Sequence, residues 1–157
     1  MSGFRRGVRL GIDVGRARVG VARCDPDGLL AVPVETVPRT EAAIDRIVEL
    51  AAEYRPIEIV VGLPVNMRGE DTASTQDARE FAGALSRRTE LTVRLVDERL
   101  STVSAHSALR ASGRTQKNSR SIVDQVAAVV LLQQAIDTEK STGTPAGAAV
   151  DLDEEPI

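Results

Sequence analysis

Aromatic side chains are nearly missing from this 157-residue chain: Phe4, Tyr54 and Phe81 are the whole set, and tryptophan is absent. Three rings cannot build the stacking platform on which single-strand binders lay successive bases. One cysteine, Cys24, permits neither an internal disulfide nor cysteine-ligated zinc, and is expected to be a buried packing residue. One histidine, His106, excludes a multi-histidine metal site. No Gly-x-Ser-x-Gly elbow occurs, which disfavours Ser/His/Asp hydrolysis. No apolar run approaches the ~20 residues of a membrane helix. Residues 1–7 lack the apolar region of a signal peptide. A cytoplasmic protein with no membrane partner is the expectation. What is present, 42% hydrophobic and 27% charged residues, is ordinary for one soluble domain, long enough to bury a core.

The formal net charge is −3, which by itself does not suggest a partner for nucleic acid. Its distribution says more. Residues 1–23 hold six arginines against Asp13 alone, and residues 99–123 hold Arg99, Arg110, Arg114, Lys117 and Arg120 with no acid. Residues 141–157 hold Asp151, Asp153, Glu154 and Glu155 with no base. The two basic segments can form a phosphate-binding surface, or can be solvated loops.

Apolar spacing gives the order β-β-β-α-β-α-β-α-α. Val8, Leu10, Ile12 and Val14 alternate with polar or small residues, as in a half-buried strand. A second strand runs to Cys24, Asp25-Pro26-Asp27-Gly28 is a turn, and 29–37 is a third strand with Pro33 marking an edge or bend. A helix is expected over 41–54, a buried strand over 57–63, a loop over 64–71, a helix over 72–87 and a fifth strand over 91–96. A short helix from Ser101 to Gly113, a polar loop over 113–119 and a strongly apolar helix over 122–136 follow. Residues 141–157 read as a disordered acidic tail on a domain of 1–140. The fold class is α/β, a five-stranded mixed sheet flanked by helices in three layers.

Three carboxylates stand out. Asp13, in Gly11-Ile12-Asp13-Val14-Gly15, lies on the strand face opposite Leu10 and Ile12, with Gly11 and Gly15 leaving space around it. A carboxylate there needs a cation or an arginine; the alternative is a cap on the turn into strand two. Glu98 ends strand five, where α/β folds gather ligands, although Asp97 competes and an ion pair with Arg99 would also account for it. Asp124 shares a helix face with Ala128, Leu131 and Ala135, whose small members allow close approach to the sheet; a loose capping box is the structural alternative. Carboxylates without a His or Cys cluster favour a hard cation, Mg²⁺ or Mn²⁺. With basic segments nearby, the matching substrate is a phosphodiester.

Gly11-Ile12-Asp13-Val14-Gly15-Arg16-Ala17-Arg18-Val19-Gly20-Val21-Ala22 resembles the opening signature of the YqgF/RuvX family of RNase H-like nucleases. Val61-Gly62-Leu63-Pro64-Val65-Asn66, with Gly69, is similar to its second motif. Asp97-Glu98-Arg99-Leu100-Ser101-Thr102 and Asp124-Gln125-Val126-Ala127-Ala128 are similar to its third and fourth. The resemblance spans residues 8–136. It implies an RNase H-like fold and metal-dependent cleavage of pre-16S ribosomal RNA or of Holliday junctions. It implies Asp13, Glu98 and Asp124 as catalytic metal-binding acids, and so selects Glu98 over Asp97. Arg16, Arg18, Asn66, Arg99, Arg114, Lys117 and Arg120, in or beside these motifs, are expected to bind nucleic acid. The loop before the last acid carries fewer charges than the family's lysine-rich one. The acid triad does not separate an RNA precursor from branched DNA; a junction would call for a two-fold homodimer. The competing readings are a non-catalytic RNase H-like binding module, which would be expected to lose acids, and an actin-like ATPase domain, which would need a second such domain.

Overall fold

A computed structural model describes residues 4–97 and 116–150, with side chains described over 4–97 and 125–150. The strands are β1 (Arg9–Val14), β2 (Arg18–Cys24), β3 (Ala31–Pro38), β4 (Glu58–Leu63), β5 (Thr92–Asp97) and β6 (Ala148–Ala149). The helices are α1 (Ala43–Tyr54), α2 (Ala73–Arg88) and α3 (Gln116–Thr142). The sheet order is β3-β2-β1-β4-β5-β6, with β1, β4 and β5 parallel and the other pairs antiparallel. The expected meander and parallel units are present. Pro33 lies on the edge strand, beside a register shift between Val21 and Ala22, where its missing N–H costs no ladder bond.

Strand alternation divides the core in two. Leu10, Ile12, Ile59, Val61 and Val93 pack with Ile47 and Leu50 of α1 and Phe81 and Leu85 of α2. Ala22, Cys24 and Val60 pack on the opposite face with Ala128, Leu131, Leu132, Ala135 and Ile136 of α3. Cys24 is fully buried there, and burial pushes its thiol pKa up. This fits the packing role expected of it.

Three boundaries differ from the sequence reading. The sheet has six strands rather than five, because β6 pairs with β5 and Val150 N–H donates to Val93 O at 2.8 Å. The boundary expected at residue 140 falls inside α3, and Ala146 beyond it is buried. Alanine and glycine gave that stretch the composition of a disordered tail, but β6 is held by backbone bonds that composition does not report. The four tail acids all lie in 151–157, outside the described residues. Third, α3 starts at Gln116, within the expected polar loop, and runs beyond residue 136 to Thr142. Gln, Lys and Arg favour helix without giving an apolar period. At its other end Gly143, at φ 80°, donates its N–H to Glu139 O and closes the helix. The short helix expected over 101–113 lies outside the described residues.

Helix α3 lies almost on the backbone of β1. A Cβ at Gly11 would stand 2.8 Å from Leu132 Cβ and 3.0 Å from the Ala128 carbonyl oxygen. Gly11→Ala is therefore expected to cost about 1–3 kcal/mol, because neither helix nor strand can move without opening the second core. An unchanged thermal midpoint in that variant would contradict this packing.

At the amino ends of β1 and β4 the same interface is ionic. Arg9, Glu58 and Glu139 are 1%, 2% and 1% exposed. Arg5 Nη2 reaches Glu58 Oε1 at 2.9 Å and Glu139 Oε1 at 2.7 Å, while Arg9 Nη2 reaches Glu139 Oε2 at 3.0 Å. Arg94 Nε completes the set on Glu58 Oε1 at 3.0 Å. No buried side-chain polar atom among the described residues lacks a partner.

Candidate active site

Asp13 is partly exposed near the carboxyl end of β1, on the α3 face. Its antiparallel partner is Gly20, and Gly20 pairs in turn with Thr36 on β3. Since Gly20 adds no side chain, this rung runs clear from Asp13 to Thr36, about 10 Å away. Gln125 of α3 donates from Nε2 to Thr36 Oγ1 at 2.8 Å. Residue 124 is its neighbour in the chain, one helical turn before Ala128, so the backbone of α3 brings position 124 to the level of Asp13.

On the other side, Gly11 pairs with Val60 and Ile12 with Val61. Continuing that register by one places Gly62 beside Asp13, again without a side chain. Gly62 pairs with Val96 of β5. Val96 packs in the α3-side core and Leu95 in the other, so alternation turns Asp97 to the face opposite Asp13. Asp97 is thereby separated from Asp13 by the sheet. Glu98, which follows it, lies outside the described residues, as do Arg99 and Arg114. Asp124, Lys117 and Arg120 are placed on α3 by backbone alone. Asp13 is thus the one member of the expected triad with a described side chain. Among the described residues no group of three or more His, Cys, Asp or Glu could hold a metal.

The hairpin after Asp13 carries two of the expected phosphate contacts. Arg16 is exposed at its tip, and Arg18, partly buried, opens β2. Gly15 N–H donates to Arg18 O at 2.9 Å, and a Cβ at Gly15 would stand 2.6 Å from that oxygen, which is why the turn takes glycine. Asn66 sits in the loop after β4. Its Oδ1 accepts the N–H groups of Arg68 and Glu70, each at 2.9 Å, and its Nδ2 donates to Glu70 Oε1 at 3.0 Å. The side chain shapes its own loop, a role that motif reading alone does not reveal.

Helix α2 secures this loop from below. Thr72 and Thr75 form a capping box at its start, and Thr75 Oγ1 also donates to the carbonyl of Pro64, the first residue after β4. Arg39, which leaves β3, reaches both the hairpin and α2. The sequence reading passed over Gly62, Thr75, Arg39 and Asp77. Gly62 stood inside a motif and Thr75 lies three residues after its cap Thr72, so both could have been found; Arg39 and Asp77 lack a local signal, because they pair across 38 residues.

A family model described as RuvX, Holliday junction resolvase, matches residues 7–138. The chain belongs to the RuvX family. Among RuvX relatives, the "Putative pre-16S rRNA nuclease" of Clavibacter sepedonicus is 57% identical over 150 residues, covering 94% of this chain and 93% of that one. The protein of the same name from Streptomyces coelicolor is 51% identical over 152 residues, covering 95% and 91%. Among solved structures, Thermus thermophilus RuvC in complex with a Holliday junction substrate matches with a TM-score of 0.57 at 17% identity, over 91% of this chain and 99% of that one. This RuvX chain is accordingly a member of a nuclease family with a RuvC-like, RNase H-like fold. No described helix is long and apolar enough to cross a membrane.

Proposed function

We propose that this chain hydrolyses phosphodiester bonds in the 5′ precursor region of 16S ribosomal RNA, using Mg²⁺ or Mn²⁺ held by Asp13, Glu98 and Asp124. The observation that supports the site is the rung from Asp13 through Gly20 to Thr36, on which Gln125 anchors α3. In support, the backbone of α3 at position 124 runs level with Asp13, and position 98 follows β5, whose carboxyl end lies at the same end of the sheet as that of β1. Hard carboxylate oxygens around side-chain-free glycine positions suit a small divalent cation. When bound, that ion supplies a hydroxide nucleophile near neutral pH and neutralises charge developing on the phosphoryl oxygens. The support for the RNA substrate is the name carried by full-length relatives at 51–57% identity.

In this reading Arg16, Arg18, Arg99, Arg114, Lys117 and Arg120 grip backbone phosphates, and Asn66 keeps the bordering loop in shape. Arg16→Ala and Arg18→Ala are expected to weaken binding alike for all sequences. Each should reduce the slope of log affinity against log salt by about one. A loss confined to certain base sequences would point to direct readout instead.

The experiment that tests substrate choice offers the purified protein a 16S precursor RNA and a four-way DNA junction, each with Mg²⁺ and with Mn²⁺. Cleavage of the RNA in preference to the junction is expected. Paired cuts in the junction alone would overturn the RNA assignment and require a two-fold homodimer. Cleavage of neither would leave a binding module.

A further inference from the structure

Arg39 joins a carboxylate fork to the carbonyl of a neighbouring turn. Its Nη1 donates to the Gly15 carbonyl at 2.9 Å and to Asp77 Oδ2 at 2.9 Å, while Nη2 donates to Asp77 Oδ1 at 2.9 Å. Its guanidinium carbon lies 4.9 Å from the centre of the Phe81 ring, and Phe81 is buried in the core under α2. Its backbone N–H donates to Ala17 O at 2.9 Å. One side chain therefore joins the turn between β1 and β2 to α2, and the same residue's backbone holds that turn a second time.

In that turn the Gly15 N–H is spent on Arg18, and the Gly15 carbonyl is the group that Arg39 takes. Asp77 is itself on the second turn of α2, whose first turn holds Pro64 through Thr75. One rigid helix thus braces the chain leaving β1 and the chain leaving β4. The fork geometry matters: a planar guanidinium can satisfy both oxygens of Asp77 and still direct a donor at Gly15, which an ammonium cannot. Asp77 also neutralises Arg39, and this pairing holds the Asp77 carboxyl below its usual range.

We propose that Arg39 and Asp77 are a positioning pair for nucleic-acid binding: they hold the β1–β2 turn so that Arg16 and Arg18 meet consecutive phosphates of the substrate backbone. The inference rests on the reading of Arg16 and Arg18 as phosphate contacts. Arg39 is not itself assigned to phosphate, since three of its N–H donors are committed to Asp77 and Gly15. Asp13 is held by its own strand ladder, so the pair governs grip more than the chemical step.

The test reads binding of a labelled single-stranded RNA in EDTA, across a salt series. Asp77→Ala removes a negative charge and releases the Arg39 cation beside the site. Simple electrostatics predicts tighter binding in that variant; positioning predicts binding about tenfold weaker, because oriented phosphate contacts are lost. Arg39→Lys, which keeps the charge and loses the fork, should weaken binding to a similar extent. The double variant should be no worse than either single one. All three should show a salt slope reduced by about one to two. A merely structural defect would lower the folded fraction and the apparent affinity but leave that slope unchanged. As a control, Arg46 makes a comparable two-pronged pair with Glu35 away from the turn, at 2.9 and 2.7 Å; Arg46→Lys should leave both readouts as they are.

Tighter binding by Asp77→Ala, or an unchanged salt slope in Arg39→Lys, would overturn the proposal. If Arg16→Ala and Arg18→Ala also left the slope unchanged, the phosphate-contact reading would fail with it. If those two variants lost slope while Arg39→Lys did not, the positioning pair alone would fail.

Discussion

Replacing Asp13 by asparagine is expected to reduce cleavage by about a thousandfold or more while the fold survives. The carboxylate is near the end of a strand paired on both sides; its partner on β2 is Gly20, and Gly62 is next in register on β4. An amide of the same shape fits that space but is a far weaker ligand for a hard cation. The thermal midpoint should stay unchanged, or rise slightly as repulsion with Glu98 and Asp124 is relieved. Cleavage within tenfold of wild type would remove Asp13 from the chemistry.

The second large effect is one of stability, at the opposite end of the sheet. Glu139→Ala is expected to destabilise the fold by about 3–5 kcal/mol, because it strands Arg9 in the interior. Arg9, 1% exposed, would keep only a 3.7 Å approach to Glu58 among its acidic partners. Arg5 would lose both its 2.7 Å side-chain contact and the acceptor of its backbone N–H. For a chain of this size the thermal midpoint should fall by about 10 °C. The pH dependence has a definite sign. Burial alone would push the Glu139 carboxyl up, but hydrogen bonds from Arg5 and the charges of Arg9 and Arg5 outweigh it and carry the carboxyl below its ordinary value. A depressed carboxylate stabilises the fold above its unfolded pKa and loses that contribution as pH falls through the folded one. The gap between wild type and variant should therefore be widest at neutral pH and narrow below ~4. A denaturation series showing a gap that widens in acid would contradict the cluster's role. At a temperature where the variant is folded, cleavage should persist, since Asp13 is at the other end of β1.

What the sequence revealed follows physical range. The strands β1 to β5 and helix α2 were readable because each buries one face, and burial imposes a period of two or 3.6 on neighbouring residues. Asp13 was readable for the same reason: alternation alone sets it opposite Leu10 and Ile12. The end of α3 was not. After Ile136 the chain turns polar, yet Glu139 is as buried as the leucines before it, because distant Arg5 and Arg9 pair with it. A buried acid looks like a surface acid until its partners, over a hundred residues away, are placed. β6 was hidden because backbone pairing of two alanines leaves no side-chain pattern. Arg39 and Asp77 were hidden likewise: neither belongs to a motif, and their meaning lies in the Gly15 carbonyl that Arg39 reaches while its fork holds Asp77. Alternation turns Asp97 away from Asp13, whereas the selection of Glu98 rests on the family resemblance, because residue 98 lies outside the described residues.

Asp13, Glu98 and Asp124 are proposed to act as one metal-holding unit on a phosphodiester. The most direct measurement is single-turnover cleavage of a 5′-labelled 16S precursor RNA, with protein in excess and Mg²⁺ or Mn²⁺ present. It compares wild type with Asp13→Asn, Glu98→Gln, Asp124→Asn and their pairwise combinations. Wild type should cut, each single variant should lose about a thousandfold or more, and any pair should be no slower than its slower member, as expected of groups that work as a unit. Any single variant within tenfold of wild type, or losses that multiply in the pairs, would contradict the account.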